Sequence, residues 1–202
     1  MAKRDNHYEA AFEAWLRAMR VPYVAVNESH RALLPAAGCH GLQPDSAAAS
    51  EHSLKSADFI VSPAAACQSW LVDIKGRQFP TAGRQFWRNW STADELASLA
   101  SWEALFGTQF SGLLVFAYQV VGDRAPLAPE ELFAFRQRLY GFVGVRLEHY
   151  TTFARPLSRR WNTVTVSVPR FRALARPVRE LFGVGIQNSE CRTQSPVKRG
   201  VA

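Results

Sequence analysis

The sequence predicts an α/β protein in which helices pack against a sheet. An apolar stripe with helical spacing lies near the start of the chain, and several apolar, strand-like runs follow it. A capping box, formed by Thr92 and Glu95, opens a second helix between two of these runs. Because helical and strand patterns alternate, we expect the strands to form a sheet that the helices cover.

The first helix is predicted over residues 7–20. Phe12 and Trp15 lie on one apolar stripe of this segment. Asp5 or Asn6 is available as the N-cap, since a short polar side chain can accept a hydrogen bond from the first turn. The pattern therefore predicts an amphipathic helix that buries one face.

Three strands are predicted after this helix. Residues 21–26 form an apolar, β-branched run with Pro22 near its start, where proline is tolerated, so we expect an edge strand. Residues 58–62 and 69–75 are predicted to pair with each other. Residues 35–56 are rich in Ala, Ser, Gly and His without periodicity, and this composition predicts a long loop insertion.

The second half of the chain is predicted to add strands and two helices. The capping box begins a helix that extends to about Phe106, and Gly107 ends it. The later elements, in chain order, are a strand over 110–121, a hairpin of 132–135 and 139–147, a strand over 163–168, and a basic helix from Pro169 that Pro177 breaks or restarts.

Length and composition favour one domain. The chain has 202 residues, of which 48% are hydrophobic, enough for one sizeable core over residues 1–186. Residues 187–202 are polar and basic, and we expect a disordered tail. No apolar run reaches the length of a membrane span, and no signal-peptide pattern is evident, so we expect a cytoplasmic protein that does not enter a membrane. The three cysteines fit neither a disulfide framework nor a zinc site.

Positive charge is concentrated late in the chain. Residues 151–202 contain ten Arg or Lys and two Glu, whereas the whole chain carries a net charge of +7. Such asymmetry indicates a basic face that would attract a polyanion such as nucleic acid. A solubilising arginine-rich surface is the alternative interpretation.

An acid and a base interrupt the apolar segment 69–75. In a strand, residues two apart project from the same side, so Asp73 and Lys75 share one face with Leu71. Charged side chains are rarely buried without a partner, so this face should meet water, a metal ion or counter-charges. Asp58 begins the neighbouring strand, and the two carboxylates and the ammonium are expected to converge.

Such a cluster suits phosphodiester hydrolysis. Mg²⁺ takes a few carboxylate ligands, keeps several waters and accepts phosphate oxygens at its remaining positions. Mn²⁺ is the alternative ion. The bound ion would orient an attacking water and stabilise the leaving oxygen. Lys75 would position or deprotonate that water.

At these residues the sequence resembles a known group of enzymes. Asp58 followed by Asp73-Ile74-Lys75, behind a helix with Glu9, is similar to the PD-(D/E)xK nuclease superfamily. The resemblance implies a restriction-endonuclease-like mixed sheet flanked by helices, here with extra C-terminal strands and a basic helix. The heptapeptide His7-Tyr8-Glu9-Ala10-Ala11-Phe12-Glu13 matches the signature of the bacterial HYExAFE family. Similarity extends through Leu54-Lys55-Ser56-Ala57-Asp58-Phe59, Val72-Asp73-Ile74-Lys75-Gly76-Arg77 and Arg138-Leu139-Tyr140-Gly141-Phe142.

The resemblance implies a role for each matching residue. Asp58, Asp73 and Glu9 would hold the metal, and Lys75 would be the catalytic lysine. Ala57 stands where the superfamily's name has proline, although metal chemistry does not need that proline. The candidate accessory residues are Glu13, His7 and Gln78.

Arginines near the acids and in the basic segment are candidate nucleic-acid contacts, because the planar guanidinium suits phosphate. They are Arg77, Arg84, Arg88, Arg155, Arg159 and Arg160. Trp87, Trp90 and Trp102 surround the second helix, and we expect them in the core.

Three functions remain open from the sequence. The first is a metal-dependent nuclease that acts on DNA in repair, recombination or cleavage of particular DNA structures, with RNA as the alternative substrate. The second is a nucleic-acid-binding module on a nuclease-like scaffold that has lost catalysis. The third is a protein-interaction domain with a basic surface. A homodimer would suit a resolvase-like enzyme, although no dimer stripe is evident.

Overall fold

The computed structural model describes residues 6–26, 55–64, 68–80 and 87–184. Within these ranges ten strands form two sheets, and five α-helices cover them. The helices are α1 (His7–Ala18), α2 (Ala93–Phe106), α3 (Leu147–Phe153), α4 (Val168–Leu174) and α5 (Val178–Leu181). The strands are β1 (Tyr23–Ala25), β2 (Phe59–Val61), β3 (Ser69–Phe79), β4 (Ser91–Thr92), β5 (Phe110–Val120), β6 (Phe133–Phe135), β7 (Arg138–Arg146), β8 (Arg155–Ser158), β9 (Thr163–Thr165) and β10 (Arg176–Pro177).

The larger sheet is mixed and has the strand order β1-β2-β3-β5-β7-β10, with β6 paired to β7. β3 and β5 run parallel over eleven residues each, and α2 lies in the connection between them. The other pairs in this sheet are antiparallel. Parallel neighbours need a crossover, and α2 provides it.

Both faces of this sheet are buried, which explains the long apolar runs of β3 and β5. On one face α1 and α5 pack through Phe12, Trp15 and Val178. On the other face Tyr150 of α3 and Phe171 of α4 join the apolar side chains of α2. A mixed sheet between helical layers confirms the predicted α/β fold class.

The smaller sheet joins β4, β9 and β8 in that order. It is antiparallel, and its register pairs Thr92 with Thr163. It places the basic segment beside the start of α2. Of the elements predicted in this region, the strand is present as β9 and the basic helix as α4, whereas β8 and β10 were not predicted.

Local signals predicted several element boundaries correctly, although β3 extends to Phe79 and not only to residue 75. Asn6 caps α1, and its side chain accepts a hydrogen bond from the Tyr8 amide at 3.3 Å. The Thr92–Glu95 capping box is present in full, and Gly107 ends α2 with φ of 81°. The predicted pairing of β2 with β3 and the hairpin of β6 and β7 are also present.

Two strand predictions extend too far. Residue 147 was expected in a strand, but Leu147 begins α3, a helix that the sequence reading did not predict. Residues 166–168 were also expected in a strand, whereas β9 ends at Thr165 and Val168 begins α4. Leu147 is buried from a helix, and Val166 is buried from the connection between β9 and α4, so in both cases a buried apolar residue continues the alternating pattern past the true end of the strand.

Several predictions fall outside the described residues. These are the alternative N-cap Asp5, Arg84, residues 35–54 of the predicted loop insertion, and the basic tail 187–202. Within the described ranges, none of the helices has the length and apolar character needed to cross a membrane.

Candidate active site

The charged face of β3 lies against α2. Asp73 and Lys75 project to the side of the sheet that α2 covers, and each is only 4% exposed. Their predicted separation from Trp70, Val72 and Ile74, which pack on the α1 side, is confirmed. Lys75 Nζ contacts Asp73 Oδ2 at 2.6 Å, so this acid and base form a buried ion pair.

Glu95, in the first turn of α2, is the second partner of the buried lysine. Its Oε2 lies 2.7 Å from Lys75 Nζ and also accepts hydrogen bonds from Ser91 Oγ at 2.8 Å and from the Thr92 amide at 3.1 Å. Burial alone would raise the pKa of Glu95, but Lys75 and Lys55 hold it well below its usual range. One carboxylate therefore caps a helix and fixes an ammonium group.

Lys55 adds a second cation to this network. Its Nζ lies 2.8 Å from Glu95 Oε1 and 3.7 Å from Asp73 Oδ1. Burial opposes its charge, but Asp73 and Glu95 raise the pKa of Lys55 above its usual value. Sequence reasoning assigned neither Glu95 nor Lys55 to the site. The sequence explained Glu95 as part of the capping box alone. Lys55 lies within one of the segments that carry the family resemblance, which is the one signal in the sequence that pointed to it.

Asp58 lies beside β3, just before β2. Its Oδ2 accepts a hydrogen bond from the Ile74 amide at 2.6 Å, and its own amide donates to the Val72 carbonyl at 2.8 Å. Burial is the main cause that raises the pKa of Asp58 to about 8, and the charges of Asp73 and Glu9 add to it. The sequence predicted this convergence of Asp58, Asp73 and Lys75, and the backbone pairing of β2 with β3 produces it.

An open cleft of about 880 Å³ lies in front of these residues. Acidic and basic side chains share its wall: Glu9, Glu13, Lys55, Asp58, Lys75, Arg77 and Glu95. Asp73 is placed differently, because it lies behind Lys75 and borders a separate small cavity with Lys55 and Glu95. The cleft thus brings together Glu9, Asp58 and Lys75, with Asp73 in the layer beneath them.

The carboxylates fit a divalent cation in part. Asp58 and Glu9 line one cleft and are close enough for the charge of Glu9 to raise the pKa of Asp58, so a cation there would relieve mutual repulsion. Both oxygens of Asp73, in contrast, face lysine ammonium groups. Over the described part of the chain, no three His, Cys, Asp or Glu side chains are arranged as a ready set of metal ligands.

Arg77 lines the cleft from the same face of β3 as Lys75. Its guanidinium carbon lies 3.9 Å from the ring centroid of Trp90, and its Nη atoms donate to the carbonyls of Gly76 at 2.7 Å and Trp90 at 2.5 Å. The prediction that Trp90 belongs to the core is wrong, because its side chain is 37% exposed and forms part of the cleft wall. The stacked arginine holds the indole at this surface.

The three accessory candidates lie in different surroundings. Glu13 lines the cleft and accepts hydrogen bonds from Arg17 Nη2 at 2.6 Å and from the Tyr23 hydroxyl at 2.9 Å. His7 Nδ1 lies 2.9 Å from the Tyr140 hydroxyl and does not line the cleft. Gln78 is exposed on the face of β3 opposite to Lys75.

The predicted nucleic-acid contacts divide into two groups. Arg77 is in the cleft, and Arg88 is exposed two residues before Trp90. Arg155, at the start of β8, and Arg159 and Arg160, in the turn after it, are exposed on the smaller sheet. The second group lies apart from the carboxylates in sequence, and the pairing of β4 with β9 links the two regions.

No family model and no curated protein matches this chain. Among solved structures, it is similar to Hjc, a Holliday junction resolvase from the archaeal hyperthermophile Archaeoglobus fulgidus. The two chains are 11% identical, the alignment covers 92% of this chain and 100% of that chain, and the TM-score is 0.49.

Proposed function

We propose that this chain is a metal-dependent nuclease that hydrolyses phosphodiester bonds in DNA. One observation carries the proposal: a buried ammonium, Lys75, is held at the wall of an open cleft that Asp58 and Glu9 also line. A buried charge network at a cleft is the arrangement expected where acid–base chemistry occurs. The HYExAFE and PD-(D/E)xK resemblance assigns the same residues to a nuclease site.

Asp58 and Glu9 are the residues that would hold Mg²⁺ or Mn²⁺ in the cleft. Such an ion supplies charge stabilisation to the phosphate and lowers the pKa of water. Asp58 is fixed by the Ile74 amide, so one of its oxygens keeps a constant orientation. Asp73 contributes mainly by holding Lys75, because its carboxylate is already paired with ammonium groups.

Lys75 is the candidate for positioning water and for neutralising charge on the phosphate. Asp73 and Glu95 hold its ammonium from two sides at 2.6 and 2.7 Å, so its place at the cleft wall is set before substrate arrives. Lys55 is a second cation of the cleft and is more exposed. We assign Lys55 to phosphate binding and Glu95 to positioning both lysines.

A DNA-binding module that no longer cuts is the second candidate. One observation favours it: Lys55 and Lys75 already neutralise Asp73, so no metal ion is needed to keep that carboxylate buried. This candidate predicts salt-sensitive DNA binding without turnover, since the arginines and not the carboxylates would make the contacts.

The deciding experiment is incubation of the full chain with labelled single-stranded, duplex and branched DNA, with Mg²⁺, Mn²⁺ or EDTA. We expect cleavage that EDTA abolishes. Lys75→Met, which keeps the volume of the buried stem, should lower the rate at least about 100-fold while DNA affinity changes little. Arg179→Ala, an exposed change at α5, is the control. Cleavage by Lys75→Met at the wild-type rate would refute the role of Lys75, and metal-independent binding without any cleavage would favour the second candidate.

A further inference from the structure

The smaller sheet and the start of α4 present a second surface, which we call the hairpin surface. It is strongly basic: residues 151–170 contain four arginines, all exposed, and no acid. Aromatic side chains lie among the arginines. The residues that define the hairpin surface are Phe153, Arg155, Arg159, Arg160, Trp161 and Arg170.

Trp161 is the outermost aromatic side chain of this surface. It is 68% exposed, and the guanidinium carbon of Arg160 lies 5.3 Å from its ring centroid. A single exposed apolar residue is ordinary on a protein surface. Here, however, a guanidinium lies beside the exposed indole, so a ligand with an aromatic ring and an anionic group would match both side chains.

The turn that carries Trp161 is firmly attached to α2. The Asn162 carbonyl accepts a hydrogen bond from the Ala93 amide at 2.8 Å, and the Asn162 side chain donates to Asp94 Oδ1 at 3.0 Å. Asn162 has φ of 45°, a conformation that asparagine tolerates better than most residues. The indole is therefore presented by an ordered turn, and less conformational entropy is lost when a ligand binds.

A hollow of about 520 Å³ lies at the other end of β8. Arg155 and Phe153 line it from one side and Arg170 from the other, and the Arg170 guanidinium carbon lies 4.4 Å from the Phe153 ring centroid. β8 has four residues, so the hollow and the turn are separated by roughly 13 Å at about 3.3 Å per residue. Two arginine–aromatic pairs thus stand at the two ends of one short strand.

The hairpin surface is joined to the cleft through α2. Thr92 of β4 pairs with Thr163 of β9, and Thr92 also forms the capping box with Glu95, which lines the cleft. The turn after β8 and the cleft wall therefore meet at the first turn of α2.

We propose that the hairpin surface binds unpaired nucleotides, with Trp161 stacking on a base and Arg155, Arg159 and Arg160 contacting the phosphates. Bases in a duplex stack on one another and hide their faces, whereas unpaired bases leave them open to aromatic side chains. Basic grooves with exposed aromatic side chains are typical of single-strand binding. The inference rests on the proposed function in taking DNA as the ligand, and it narrows the substrate to DNA in which a single strand adjoins a duplex.

The test is fluorescence anisotropy with labelled single-stranded, blunt duplex and forked DNA, using the full chain in EDTA so that no cleavage occurs. Trp161→Ala should weaken binding to single-stranded and forked DNA about ten-fold and leave blunt duplex binding within about two-fold. Trp161→Phe, which keeps a stacking ring, should restore most of the affinity. Arg160→Ala should weaken all three ligands and reduce the salt dependence of binding. Leu105→Ala is the matched control, because it also truncates an exposed apolar side chain, in this case on α2.

Each outcome decides the inference separately from the nuclease activity. Equal single-strand affinity for wild type and Trp161→Ala, or an equal loss for single-stranded and duplex DNA, would overturn the role of Trp161. A selective loss with no cleavage of any DNA would support the hairpin surface and contradict the nuclease proposal. Cleavage of blunt duplex DNA by a protein that shows no preference for single-stranded DNA would support the nuclease proposal and contradict the inference about the hairpin surface. Since Trp161 is exposed, its substitution should leave the thermal unfolding midpoint unchanged, which circular dichroism checks.

Discussion

Glu95→Gln is the most informative perturbation of the charge network. Glutamine keeps the length of the side chain and a carbonyl oxygen that can still accept the Thr92 amide, so the helix cap is retained. The substitution removes the negative charge that Lys75 and Lys55 contact at 2.7 and 2.8 Å. Its effect on stability therefore reports the ion pairs with little contribution from the cap.

The expected loss is about 2–3 kcal/mol in the free energy of unfolding. Removing one partner of a buried ion pair costs about 3–5 kcal/mol when the other charge is left alone. Lys75 keeps Asp73 at 2.6 Å, and the Glu95 side chain is 21% exposed, so the loss should be smaller. The pair with the more exposed Lys55 adds only about 0.5 kcal/mol. At about 2–4 °C per kcal/mol, the unfolding midpoint should fall by about 4–12 °C.

The pH dependence provides a second check. The pKa of Glu95 lies below its ordinary value in the folded protein, so its stabilising contribution is complete above the unfolded-state pKa of 4.5 and is lost as the pH falls through the lowered folded-state value. The difference between wild type and Glu95→Gln should be largest near neutral pH and shrink in acid. Urea unfolding followed by circular dichroism measures it, with Glu103→Gln on the same helix as control. Equal stability of the two proteins at neutral pH, or a difference that does not change in acid, would refute this reasoning.

Three further changes test other parts of the structure. Burial and nearby acids raise the pKa of Asp58 from 3.8 to about 8, so the folded state should lose stability as the pH rises through this interval. Asp58→Asn should remove that loss. Urea titrations on the alkaline side in which Asp58→Asn is no more stable than the wild type would contradict this expectation. Gly76→Ala would place a Cβ 2.1 Å from the Tyr8 ring, so a loss of about 1–3 kcal/mol is expected in thermal unfolding, whereas Gly122→Ala meets only ordinary contacts and should be nearly neutral. Asn89→Ala leaves two buried backbone groups without their side-chain partner, and chemical denaturation should show a loss of about 2 kcal/mol or more; a stable variant would mean that these groups find other partners.

The elements that the sequence predicted correctly are those with local causes. The N-cap Asn6, the Thr92–Glu95 box and Gly107 each act within one helical turn, and the structure retains all three. Helix α3 was missed because Leu147 continues the apolar alternation of β7 and no side chain caps the helix at Arg146. Its position depends on packing against α2 and β5, which local patterns do not encode.

The candidate site likewise has features that local patterns predicted and features that depend on tertiary packing. Strand periodicity placed Asp73 and Lys75 on one face, and the need for counter-charges followed from their burial. The contact with Glu95 depends on the crossover that brings α2 over β3, and the contact with Lys55 depends on the segment before β2, so neither residue was assigned from its spacing. Trp90 was assigned to the core for a related reason, since nothing local indicates that Arg77 holds it at the surface.

The double use of Glu95 makes the formation of the helix end and the placement of the lysine one cooperative event. When the first turn of α2 frays, Lys75 loses one of its two anions, so local opening of that turn would release the ammonium from its fixed position. Amide hydrogen exchange at Glu95, whose N–H donates to Thr92, would therefore report on the integrity of the charge network as directly as on the helix. Substitutions that stabilise the N-terminal cap of α2 should also restrict the motion of the Lys75 ammonium.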